Sequence, residues 1–132
     1  MSDRKCARAL VRAAKLDLRA RQGMTDEGAF PDEIAGVHAQ QAAERLLMAW
    51  LAARGLVFPL THDLGALLEV PQDHEREARR FHGLLALNPF AAQFRYESIS
   101  EGTEPLDRDG LIASIQALLG RVESTLRELD SE

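Results

Sequence analysis

A chain of 132 residues is long enough for one core held without disulfides or metal, and a formal net charge of −5 does not suit a protein that coats nucleic acid. Aromatic residues make up 5% of it, against a background rich in Ala, Leu, Arg and Glu, which is helix composition rather than sheet composition. The single Cys6 excludes an internal disulfide and predicts a reducing cytoplasm; the charged first twenty residues do not read as a secretory signal, and no apolar run reaches the roughly 20 residues of a membrane span.

Charge is unevenly distributed. Met1 to Gln22 holds seven basic residues against Asp3 and Asp17, whereas the rest of the chain has nine basic residues against nineteen acidic ones. The first segment predicts an amphipathic helix from about Asp3 to Arg21. Ala7, Leu10, Val11, Ala14, Asp17 and Leu18 share one side at spacings of three and four, and Arg4, Arg8, Arg12, Lys15 and Arg19 line the other. Gly23 ends it, and Thr25 to Pro31 reads as loop.

Asp32 to Arg54 is the second predicted helix, with acids at its start, Gly55 at its end, and a face of Val37, Ala39, Ala42, Ala43, Leu46, Leu47 and Trp50. Thr61 is the expected cap of a short third helix over His62–Leu68, which Pro71 ends. Asp73 to Leu87 predicts a fourth helix, charged first and apolar later, broken by Asn88-Pro89; Phe90 to Tyr96 is a short helical or irregular piece. Ser98 to Pro105 reads as loop. From about Asp107 to Leu129, Leu111, Ile115, Leu118, Val122, Leu126 and Leu129 trace a near-heptad stripe for the last helix. The expected architecture is a single domain over residues 1–132, an all-α antiparallel up-and-down bundle of four main helices with one or two short ones.

Familiar catalytic motifs are absent: no Gly-rich phosphate loop, no His-Glu-x-x-His, no Cys-x-x-Cys, no nucleophile elbow. His38, His62, His74 and His82 never pair at the three- or four-residue spacing that puts two ligands on one helix face, so neither metal nor cofactor is expected. Two polar features stand out: His38 with Gln41 and Arg45 on one face of the Ala-rich helix, and Thr61-His62-Asp63-Leu64 at the start of the third. His62 and Asp63 read as capping residues with His38 a bundle histidine tied to one partner, or else His38, Gln41 and His62 come together as a helix-terminus pocket for a phosphate or a base.

The run Val37-His38-Ala39-Gln40-Gln41-Ala42-Ala43-Glu44-Arg45, then Thr61-His62-Asp63-Leu64, Leu87-Asn88 and Ala91 through Arg95-Tyr96, resembles the signature of the HEPN family, the higher eukaryotes and prokaryotes nucleotide-binding domain. Order and spacing agree over nearly the whole chain, including Asp17-Leu18 on the first helix. The chain departs from the pattern at Val37, where the family usually has Phe, at Pro89, and at Glu97, where Pro is common. The resemblance implies a helical bundle that forms homodimers. It also implies one of two roles.

The first role is a non-catalytic cytoplasmic subunit that partners a minimal nucleotidyltransferase in a toxin–antitoxin or defence-type module, with no membrane attachment. On that reading His38, Gln41, His62, Asp63, Arg95 and Tyr96 line a nucleotide site, Arg95 meeting phosphate and Tyr96 stacking or hydrogen-bonding. The second role is a metal-independent ribonuclease, whose family motif is an Arg, four to six residues and a His, the His serving as acid or base and the Arg stabilising the phosphorane. Arg76 and His82 meet that spacing. Against it, two residues six apart lie about 240° apart around an ideal helix, and Glu77 replaces the polar residue that usually follows the Arg in the active branch, its charge expected to repel RNA phosphate. The first role is therefore the expectation, with RNA a ligand only under the second.

Two surfaces bear on partners. The basic stripe of the first helix reads as a solvated face or as a dock for an acidic partner or nucleic acid. Phe81, Phe90, Phe94 and Tyr96, beside the small residues between Ala39 and Ala53, suggest apolar surface left over for a homodimer.

Overall fold

The computed structural model describes residues 3–22, 32–70, 72–90 and 107–130. Among them are helices α1 (Asp3–Gln22), α2 (Asp32–Ala53), α3 (Leu64–Leu67), α4 (Gln72–Arg79) and α5 (Arg108–Asp130), a 3-10 helix over His82–Phe90, and no strand. None of these helices is long and apolar enough to cross a membrane.

Helix α2 is the hub: α1, α3, the 3-10 helix and α5 all pack on it. Its sequence allows that because Ala39, Ala42, Ala43, Ala49, Ala52 and Ala53 are buried on several sides, and methyl groups let neighbouring backbones come close. The larger Leu46, Leu47 and Trp50 fill the centre. At its end Gly55 adopts φ +71°, the Gly55 amide donates to the Ala52 carbonyl at 3.0 Å, and the Leu56 amide donates to Leu51 at 2.9 Å. That is the left-handed glycine stop, which leaves few orphan carbonyls at the helix terminus.

Helices α1 and α5 run antiparallel, because Arg8 pairs with Asp130 while Lys15 pairs with Glu123. Ala7, Val11, Ala14 and Leu18 of α1 are buried, as are Leu111, Ile115, Leu118, Val122 and Leu126 of α5. Asp107 caps α5 by accepting from the Gly110 amide at 3.0 Å.

Three sequence expectations change. The third helix starts at Leu64, not His62, and its cap is Asp63, whose Oδ1 accepts from the Gly65 amide at 2.9 Å. Thr61 instead accepts from the Asp63 amide at 3.0 Å, a local turn that competes with helix and delays its start. The fourth helix does not continue to Leu87. It stops at Arg79, passes through three-residue hydrogen bonds (Arg80 to Glu77, Phe81 to Ala78, Leu84 to Phe81), and rewinds as the 3-10 helix.

The reason is the period of the apolar residues. Phe81, Leu84, Leu87 and Phe90, all buried, recur every third position, and three residues per turn stack them in one line. On an α-helix the ends of that series would point about 180° apart. Burial of four large side chains outweighs the poorer hydrogen-bond geometry of the tighter helix. The third change follows from the second: Phe81 and Phe90, assigned from sequence to a dimer surface, are buried within the single chain, as are the alanines of α2. Phe94 and Tyr96 lie outside the described residues.

Candidate functional site

Two polar stripes run along α2. Residues 38, 41 and 45 form one and residues 40 and 44 the other, about 110° around the helix at 3.6 residues per turn. Each stripe is organised by a carboxylate in the protein interior.

On the first stripe the carboxylate comes from α1. Asp17 lies on the helix's core-facing side, is buried, and pairs with Arg45; its Oδ1 is 3.6 Å from His38 Nδ1. Burying a carboxylate is costly unless it is paired, and the Arg45 guanidinium meets that requirement. Gln41 occupies the intervening position, half-buried.

On the second stripe the carboxylate belongs to α2 itself. Glu44 is buried and lies 2.6 Å from Nδ1 of His62, while Gln40 Nε2 donates to the His62 carbonyl at 3.2 Å. Both the ring and the backbone of His62 are therefore held on α2, yet its side chain remains 55% exposed. With the carboxylate accepting from Nδ1–H, the neutral ring presents Nε2 as an acceptor, and the imidazolium presents it as a donor.

The start of α3 is closed to ligands of the expected kind. Its Leu64 amide donates to Asn88 Oδ1 at 2.9 Å, its Gly65 amide is taken by Asp63, and Asn88 Nδ2 donates to Asp63 Oδ1 at 3.0 Å. Asp63 and Asn88 thus join α3 to the 3-10 helix. The amides that would cradle a phosphate at a helix N-terminus already have partners. For Asp63 the capping role holds; what stays open is the ring of His62.

Of the six residues assigned to the site from sequence, His38 and Gln41 share the Asp17 stripe, His62 sits on the Glu44 stripe, and Asp63 belongs to the α3 joint. Arg95 and Tyr96 lie outside the described residues. Sequence reasoning missed Asp17, Gln40, Glu44 and Asn88 as organising groups. For Asp17 a signal existed, a carboxylate among the apolar positions of an amphipathic helix.

Arg76 and His82 occupy different elements, α4 and the first position of the 3-10 helix, so the angular separation expected on one continuous helix does not apply; both are exposed. Glu77 is turned inward between Arg54, at 3.0 Å, and Arg121. Its charge is neutralised there, and it ties α4 to the end of α2 and to α5.

Metal-binding clusters of three or more His, Cys, Asp or Glu do not occur among the described residues. Residues 7–128 match the family model described as HEPN domain, which covers most of the chain. No curated protein and no solved structure matches it.

Proposed function

Because the chain belongs to the HEPN domain family, we propose that it is a non-catalytic, nucleotide-binding subunit that partners a minimal nucleotidyltransferase in a toxin–antitoxin or defence-type module. The observation that carries this reading is the pair of histidines beside α2, each with Nδ1 facing a buried carboxylate. The 2.6 Å contact to Glu44 holds the His62 ring in fixed orientation, which suits hydrogen bonding to a polar ligand, whereas His38 Nδ1, 3.6 Å from Asp17, makes no hydrogen bond among the described residues. Arg45 adds a guanidinium on the His38 side. Arg95 and Tyr96 complete the site on the family resemblance, one meeting phosphate and the other the base. Assembly as a homodimer belongs to the same proposal and is supported by Val57 and Leu60, which are 99% and 93% exposed in a single copy.

The test combines co-purification with the product of an adjacent nucleotidyltransferase reading frame, sedimentation, and titration with a nucleotide panel. Saturable nucleotide binding that weakens about tenfold in His62→Gln, with helicity unchanged, is the expected result, since one hydrogen bond to a charged group is lost. A protein that binds no nucleotide and captures no nucleotidyltransferase would remove the reading.

A second reading has a specific observation in its favour. Arg76 and His82 are exposed, and the neighbouring Glu77 is neutralised by two arginines, so the objection from its charge loses force. A ribonuclease acting through them would cleave RNA in the presence of chelator and lose that activity in both His82→Ala and Arg76→Ala. The first reading expects no cleavage to lose. Metal-independent cleavage that disappears in His82→Ala would replace it with the second.

A further inference from the structure

The basic stripe of α1 is partly accounted for by α5: Arg8 pairs with Asp130, and Lys15 lies 2.8 Å from Glu123. Between these pairs the two helices enclose an open groove of about 280 Å³, floored by buried Val11 and Leu126 and rimmed by Arg8, Arg12 and Arg127. Arg12 follows Arg8 by one helical turn, so the two guanidiniums share a face. It is exposed, and among the described residues no acid pairs with it. The groove therefore combines an apolar floor with a cation whose charge is uncommitted.

We propose that this groove binds a small phosphate monoester, its phosphate held by Arg12 and its organic body on Val11 and Leu126. Guanidinium suits this ligand because its planar fork bonds two phosphate oxygens at once. The ends of the groove set the size. Glu123 and Asp130 stand seven residues apart on α5, about 10 Å, one on either side of Leu126 and Arg127. A single anionic group fits between them. At those ends a continuing polyanion such as an RNA strand would meet charges already balanced, Glu123 by Lys15 and Asp130 by Arg8, and would gain no further uncommitted cation there.

The probes are phenyl phosphate, inorganic phosphate and oligouridylates of increasing length, titrated into the intact protein by calorimetry. Phenyl phosphate should bind saturably and more tightly than inorganic phosphate, and Arg12→Gln should weaken it about tenfold. Arg12 is exposed, so the variant should keep the wild-type melting temperature. Oligouridylates should bind no more tightly as they lengthen. Unchanged phenyl phosphate affinity in Arg12→Gln, absence of saturable binding, or RNA affinity that climbs with length would each overturn the proposal. His62→Gln reports on the α2 face and Arg12→Gln on the groove, so failure of one site is distinguishable from failure of the other.

Discussion

Trp50→Ala is expected to cost about 3–5 kcal/mol of folding stability, the range for deleting a large aromatic side chain from a core. Trp50 is 1% exposed, sits on the hub helix, and meets the His74 ring edge-on with centroids 6.0 Å apart. Against a total of roughly 5–15 kcal/mol for a domain of this kind, the loss consumes a large share of the folding free energy. Denaturant unfolding followed by circular dichroism measures it, since the substitution also removes the only tryptophan fluorophore. Trp50→Phe should cost less than half as much. It keeps a ring in the same place and removes a buried indole N–H that has no hydrogen-bond partner among the described residues. If Phe proved as damaging as Ala, the importance assigned to ring packing over the indole nitrogen would be wrong.

Gly36→Ala should destabilise by about 1–3 kcal/mol, although Gly to Ala inside a helix ordinarily gains up to about 1 kcal/mol. An added Cβ would lie 2.5–2.7 Å from three atoms of the Phe90 ring, closer than such atoms ever approach. Phe90 cannot swing aside cheaply because it is buried at the end of the four-residue line along the 3-10 helix. Gly120 on α5 is the control: nothing lies within 4 Å of its Cβ position, and Gly120→Ala should stabilise slightly. Reducing the ring in Phe90→Leu should restore part of the loss in the double variant, a coupling expected only for residues in direct contact. A Gly36→Ala protein as stable as wild type would show that α2 and the 3-10 helix are not packed as closely as described.

Helices α1 and α5 were legible from the sequence because each buries one continuous face through enough turns for a 3.6-residue period to repeat. Ala7, Val11, Ala14 and Leu18 are an example, and so are Leu111 through Leu126. Helix α2, buried on several sides, was legible from its acidic start, its long run of Ala and Leu and its Gly55 stop. The all-α class and the family resemblance rest on such local patterns. The sequence also singled out His38 and His62, through the polar runs His38-Ala39-Gln40-Gln41 and Thr61-His62-Asp63.

Tertiary structure decided the rest. The line Phe81, Leu84, Leu87 and Phe90 could be continued as an α-helix on local grounds, and only packing against α2 and α5 selects the three-residue winding that buries all four together. Likewise, nothing local distinguishes Glu77 as a repulsive neighbour of Arg76 from Glu77 as the bridge between Arg54 and Arg121, because its partners are 23 and 44 residues away. The same holds for Asp17, which meets Arg45 across 28 residues, and for Glu44, which meets His62 across 18. Periodicity records which side of a helix faces the core; which charges are neutralised there depends on elements brought together by burial of apolar surface, and that juxtaposition is a property of the folded chain alone.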